Sequence, residues 1–293
     1  MKQTLKKIYQ KLPFKQPIFK LVRIFIRPKE NVYRHLYFHG DFLVQVDDSH
    51  SFLMTHYGFE LENSLFWVGI RDGWEKNSVS VWIKLAKNAD VIVDIGANTG
   101  IYSLIAKSLN PQARIFAFEP VPRVYERLVH NNLLNGYDIE CFECGISNTD
   151  GTAIIYDTPT EHIYSVTVNK NLNAPSAEVI PTEIEVKRLD TIIDELGIEK
   201  IDLLKIDVET HEPEVLEGLG EYLSKYQPTI LIEILNDEIG GKVETLVNEQ
   251  DYLYFNIDEK SDSIRRVESI TKSDYYNYLL CSEIKARELN LIS

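Results

Sequence analysis

The chain has 293 residues, of which 44% are hydrophobic, 11% aromatic and 26% charged; this excludes the disordered and fibrous classes and is enough to bury a full core. Its formal charge of −14 is uneven: residues 1–30 hold nine Lys/Arg and the single acid Glu30, leaving 22 basic and 44 acidic residues in a body that repels phosphate backbones, so no nucleic-acid partner is expected. No run reaches the ~18 apolar residues of a membrane span, no secretory leader is visible, and three cysteines (Cys141, Cys144 and Cys281) make no disulfide framework, which together fit a reducing cytoplasm.

Two helical patterns open the chain: Leu5, Ile8, Tyr9 and Leu12, then Ile18, Leu21, Val22 and Phe25, bracketed by Pro13, Pro17 and Pro28. In the second, Lys20, Arg23 and Arg27 fall on the opposite face. That fits either a helix lying on the inner membrane face, with cations toward anionic headgroups, or one packed on the domain. Residues 1–30 thus read as a basic arm and 31–78 as a cap. The cap holds short β pieces between Tyr37 and Tyr57, then a stretch bearing Trp and Gly. No Gly/Ser linker separates it from the main domain, 79–293, so it is not an independent module.

A helix near Val79–Lys87 leads into regular alternation. Val91–Ile95 reads as a buried strand, Thr99–Leu109 as a helix, Arg114–Phe118 as a strand, Pro122–Leu134 as a helix and Ile139–Cys144 as a third strand. Thr152–Tyr156 and Thr182–Val186 look like strands flanking a polar insertion, about 152–187, a candidate substrate lip. A helix at Asp190–Leu196, the strand Ile201–Val208, a helix from Pro213 to Tyr226 and the strand Thr229–Leu235 follow. Tyr252–Ile257 and Tyr275–Cys281 would form an antiparallel pair. The expected architecture is α/β: a doubly wound, Rossmann-like, mostly parallel sheet of seven strands, with an N-terminal cap region.

The first strand runs into Asp94-Ile-Gly96-Ala-Asn98-Thr-Gly100. Gly96 and Gly100 would let a ligand approach the backbone, as at the carboxyl end of the first strand in α/β cofactor folds. A dinucleotide fingerprint would read GxGxxG. Here the spacing is DxGxxxG, and Asp94 beside the turn disfavours a diphosphate and favours ammonium and sulfonium charges. Glu119, 19 residues beyond Gly100 at the end of the second strand, stands where such folds hold ribose hydroxyls. Glu143 and Cys144, ending the third strand, fall at the adenine end, where small and apolar groups suit a purine. Cys141-x-x-Cys144 has no second CxxC or His pair and reads as buried thiols, and no metal is assigned.

The fourth strand delivers Lys205-Ile-Asp207-Val-Glu209-Thr-His211-Glu212. Lys205, Asp207 and Glu209 would share one face if the strand persists, so Asp207, Glu209 and His211 are candidates for the base that takes a hydroxyl proton. A hard-metal site, or simply an acidic helix N-terminus, would use the same residue types.

DIGANTG, FAFEP, KIDVETHEPEVLEG and ILIEI, in that order over roughly residues 75–235, resemble the FkbM-type S-adenosylmethionine-dependent methyltransferases. The resemblance implies a class I methyltransferase sheet and transfer of a methyl group to a hydroxyl oxygen of a small molecule, commonly a sugar, glycan or lipid-linked glycan. By position, Asp94, Gly96, Asn98 and Gly100 would line the methionine part, Glu119 the ribose, and Asp207 with Glu209 the reaction edge. Where the family often has Gly after DVE, this chain has Thr210, which would narrow the pocket or alter a turn. The rival readings are an NAD-dependent oxidoreductase, which lacks a Tyr-x-x-x-Lys pair here, and a non-catalytic binding protein of the same fold.

Overall fold

The structure, a computed structural model, describes residues 14–157, 166–167, 180–261 and 263–292. The helical pattern at 5–12 and most of the stretch 158–179 within the insertion lie outside the described residues.

Helix α1 (Lys15–Phe25) ends before Pro28, and α2 (Glu30–Tyr33) follows. Strands β1 (Gly40–Gln45) and β2 (Ser51–His56) pair antiparallel, and their alternation is that of a half-buried hairpin: Phe42, Val44, Phe52 and Met54 point in, Leu43 and Leu53 out. The sequence pattern did not disclose α3 (Glu60–Trp67), whose residues are buried almost all round and so show no period. Helix α4 (Lys76–Ala86) buries Trp82, whose indole donates to the Tyr102 carbonyl at 2.9 Å. Aromatic residues of the 31–78 region (Phe38, Phe42, Phe66, Trp67) share one core with α4 and one face of the main sheet.

The alternating part comprises β3 (Val91–Ile95), α5 (Ile101–Leu109), β4 (Arg114–Phe118), α6 (Pro122–Leu134) and β5 (Glu140–Phe142). The expected third strand is broken at this point. Beyond Cys144 the chain leaves the main sheet as β6 (Gly145–Ser147) and builds a second sheet with β7 (Gly151–Asp157), β8 (Val166–Thr167) and β9 (Ile180–Arg188), in the order β6-β9-β7-β8. Helix α7 (Leu189–Leu196), β10 (Leu203–Ile206), α8 (Glu212–Leu219), α9 (Tyr222–Tyr226), β11 (Thr229–Glu233) and α10 (Asp237–Val247) return to the main sheet. The single helix expected from Pro213 to Tyr226 is two, because Gly220 takes a left-handed φ of 57° and ends the first.

Strands β12 (Leu253–Asp258), β13 (Ser263–Val267) and β14 (Asn277–Cys281), then helix α11 (Glu283–Glu288), complete the chain. The main sheet has eight strands, in the order β13-β12-β14-β11-β10-β3-β4-β5, and corrects the expected seven. The five from β11 to β5 are parallel, and β14, β12 and β13 are each antiparallel to their neighbours. The additional strand, β13, pairs only with β12 at the sheet edge; its adjacent Arg265 and Arg266 break the period-two signal, and charge is what an edge strand carries. The chain runs outward from β3 through β4 to β5 and resumes on the other side at β10. The crevice between the carboxyl ends of β3 and β10 is therefore the topological switch point. Among the described residues, no helix is long and apolar enough to cross a membrane.

Candidate active site

The turn after β3 is shaped by what lies directly beneath it. Gly96 has a φ of 77°, and a Cβ there would stand 1.8 Å from the Asp207 carbonyl oxygen. Only glycine lets the β3 turn and the β10 exit touch this closely. The amides of Gly96 and Ala97 both donate to the Phe118 carbonyl, at 3.0 and 2.9 Å, which ties the turn to β4. Gly100 serves another purpose: a Cβ on it would meet Leu128 at 2.6 Å, so it allows α5 to pack on α6 and is not among the cavity-lining residues.

Two buried carboxyls flank the turn. Asp94 Oδ2 accepts from the Ser103 amide (3.1 Å) and hydroxyl (2.6 Å), anchoring the start of α5. Burial raises its pKa to about 6. Glu119 accepts from the Asn98 amide through Oε2 and the Val121 amide through Oε1, both at 3.0 Å, and burial raises it to about 7. Asp94 Oδ1 and both Glu119 oxygens, which take one donor each, keep a lone pair for a further donor.

Both groups open onto a cavity of about 660 Å³. It gathers Asp94, Gly96, Asn98, Glu119, Cys144, Asp207, Glu209 and His211, leaving out Gly100 and the exposed Glu143. Its titratable lining is one-sided: nine carboxyl residues (Glu30, Glu60, Asp72, Glu75, Asp94, Glu119, Asp207, Glu209 and Glu233), of which burial holds Glu75, Asp94, Glu119 and Glu233 above the usual carboxyl range, accompany one lysine, Lys205. Ile146, Ile155, Ile184 and Val186 of the second sheet give it an apolar wall.

Lys205 organises the floor. Its side chain is 1% exposed, its ammonium lies 3.1 Å from Asp207 Oδ2 and it sits over the Tyr102 ring at 5.1 Å. Burial alone would lower its pKa, but Asp207, Glu75 and Glu233 outweigh that and raise it, so the ammonium stays charged. Asp207 is more open, 27% exposed, and faces the cavity. Glu233, ending β11, is pushed upward by burial and then by Asp207. Glu75, at a left-handed φ of 46°, accepts a hydrogen bond from the Tyr102 hydroxyl, and burial raises it too. Glu75 and Tyr102 were not singled out in the sequence because they lie outside the quoted motifs. Glu233 had a signal, a lone acid closing an apolar strand just as Asp207 follows β10.

The segment after β10 departs from its expected geometry. The strand stops at Ile206, so Lys205, Asp207 and Glu209 do not alternate along it; Glu209 and Thr210 instead adopt left-handed φ values of 52° and 81°. Such a φ is rare for a β-branched residue and explains a glycine preference at this position. Thr210 does not line the cavity; its effect falls on the turn. Buried Glu212 straps that turn, accepting from the amides of Val208 (3.4 Å) and Thr210 (3.2 Å). His211 Nε2 lies 3.0 Å from Ser147 Oγ, its Nδ1 stands 3.5 Å from Glu214 without a hydrogen bond, and burial lowers its pKa despite Glu214 and Glu217. It links α8 to β6.

Burial raises the thiols of Cys141, Cys144 and Cys281 to about 12, 11 and 12, so they carry little thiolate at neutral pH. Among the described residues, no group of three or more His, Cys, Asp or Glu is placed to hold a metal ion.

Comparison with known proteins gives a consistent result. The family model described as "Methyltransferase FkbM domain" matches residues 94–254. Methyltransferase sdnD of Sordaria araneosa is 31% identical over 188 residues, 55% of this chain and 73% of that protein. The 2-O-methyltransferase NoeI of Sinorhizobium fredii is 34% identical over 156 residues, 48% of this chain and 62% of its own length. Hexuronic acid methyltransferase AglP of Haloferax volcanii is 26% identical over 164 residues, 55% of this chain and 62% of its own length. For the last two, the match thus spans less than two thirds of the relative.

Proposed function

Because this chain belongs to the FkbM methyltransferase family, whose methyl donor is S-adenosylmethionine, we propose that it methylates a hydroxyl oxygen of a small molecule, a sugar or the sugar of a lipid-linked glycan. The observation that carries the reading is one cavity in which the bare Gly96 turn and Glu119 meet the Lys205–Asp207 pair. The residues fit a cationic donor: the turn has no side chain to block it, and nine carboxyl residues against one lysine disfavour a diphosphate. The same charge balance favours an acceptor whose reacting sugar is uncharged.

When bound, the donor supplies a methyl group already activated on a sulfonium. The chain's part is alignment, proton handling and exclusion of water. Asp94, Gly96 and Asn98 hold the methionine part, Glu119 accepts from the ribose hydroxyls, and Cys144 with Ile146 walls the adenine. Asp207, held by Lys205, accepts the proton of the acceptor hydroxyl as its oxygen attacks in line. Glu209 lines the acceptor side, and His211, its Nε2 tied to Ser147, positions the turn. Calorimetric titration with S-adenosylmethionine and with NAD tests the donor, and methyl transfer to neutral sugars and uronic acids tests the acceptor. Saturable binding of S-adenosylmethionine alone is expected. Binding of NAD, or of neither, overturns the proposal.

A further inference from the structure

One face of the molecule is unexplained by the methyl-transfer reading. Phe14, Ile18, Leu21 and Phe25 recur at spacings of four, three and four, which lays them in one stripe along α1. These four, with Ile24 beside them, are between 48% and 78% exposed. Single exposed apolar side chains are ordinary, whereas five on one contiguous face mark a contact surface. The opposite face is already occupied: Phe19 is buried against Trp67, with ring centroids 5.3 Å apart, and the Arg23 guanidinium lies over the Phe66 ring at 5.2 Å. The stripe is what α1 has left after docking on its own fold.

We propose that this stripe seats the protein on an anionic lipid surface, an inference that does not rest on the methyl-transfer reading. Charge selects the occupant. Residues 14–29 contain no acid, and of their five cations Lys20, Arg27 and Lys29 are exposed, while Arg23 is turned onto Phe66 and Lys15 onto Tyr37, in a chain whose formal charge is −14. An anionic bilayer is repelled by the net-acidic remainder of the chain and attracted to this segment. Screening, with a Debye length of about 8 Å in physiological salt, confines the interaction to groups close to the surface. Apolar side chains in the headgroup layer with lysine and arginine heads beside them are how an interfacial helix is held.

The seat adjoins the cavity. Arg27, two residues past α1, pairs with Asp72 at 3.2 Å, and Asp72, Glu30 and Tyr33 line the cavity. A bilayer contacting α1 therefore lies close to the wall of the cavity that Glu30, Tyr33 and Asp72 form.

The test is co-sedimentation of the full chain with vesicles of phosphatidylcholine, with and without phosphatidylserine. The wild type should sediment with the anionic vesicles and be released by added salt. Leu21→Glu together with Phe25→Glu should weaken binding by roughly tenfold or more, since each withdraws a large apolar contact. Leu133→Glu, at an equally exposed site on α6, should change nothing. Both variants leave Phe19 in place, and an unaltered thermal midpoint shows that they fold. Equal sedimentation of the double variant and the wild type overturns the proposal. So does sedimentation velocity that reveals a dimer abolished by the double substitution, with no vesicle binding.

Discussion

Replacing Gly96 with alanine tests whether the close approach of β3 and β10 holds the donor end together. The added Cβ would stand 1.8 Å from the Asp207 carbonyl oxygen, where side-chain carbons stay beyond 3.0 Å, so the two chain segments must part by at least about 1.2 Å. Alanine also inherits a φ of 77°, at a cost of about 1–2 kcal/mol, and overpacking adds about 1–3 kcal/mol. A loss of about 2–5 kcal/mol leaves an ordinary domain of ~5–15 kcal/mol folded, so function can still be measured. The Asp207 amide donates to the Ile95 carbonyl at 3.0 Å, and opening the crevice moves Asp207 with it. A displacement of about 1 Å at a reacting group costs on the order of a hundredfold in rate. Urea unfolding, calorimetric titration with S-adenosylmethionine and a methyl-transfer assay on one preparation should show a lower midpoint, weaker donor binding and lost turnover. An alanine variant that binds the donor as tightly as the wild type, at an unchanged midpoint, would refute the reasoning.

Asp207→Asn should leave the donor dissociation constant nearly unchanged and lower kcat by ~10²–10⁴-fold; a matching loss of donor binding would mean that Asp207 holds the donor instead. Thr210→Gly relieves a left-handed φ of 81° and should raise the unfolding free energy by about 1 kcal/mol or more, read as a higher urea midpoint at constant m-value. Donor affinity should depend on pH. Asp94 and Glu119, at about 6 and 7, are increasingly protonated as pH falls through those values, and the donor's cations favour their ionised forms. Binding near pH 6 should therefore release protons, seen as a buffer-dependent heat. Below pH 6 affinity should fall by up to about tenfold per unit for each proton displaced, and a flat profile from pH 5 to 8 would remove both carboxyls from the donor site.

The turn proposed to hold the donor was visible in the sequence because its signals are local. A strand, a bare turn and an acid at the end of the next strand lie within 30 residues, and the fold brings them together only by adding strand to strand. The acceptor side was half readable. Asp207 was visible at a strand end, but Glu75 reaches the cavity from the segment before α4 and Tyr102 from the buried side of α5, and neither position has a local period that marks it. Glu209 was misplaced by assuming that the strand continued, whereas the chain turns left-handed there, a conformation that Glu and Thr do not advertise. The missed strand β13 failed for a similar reason, since two neighbouring arginines conceal a two-residue repeat.

The departure of β6 from the main sheet separates two kinds of inheritance in this molecule. The segments proposed to hold the donor are paired to one another through β3, β4 and β10, so a shift in any of them is felt by the others. The apolar wall opposite is supplied by β6, β7 and β9; β7 and β9 pair with each other over seven residues and join the rest through three-residue β6 and through packing on Val121 and Val124. That wall belongs to a sheet separate from the one that carries β3, β4 and β10. A scaffold divided in this way can change its clientele while its reagent stays the same.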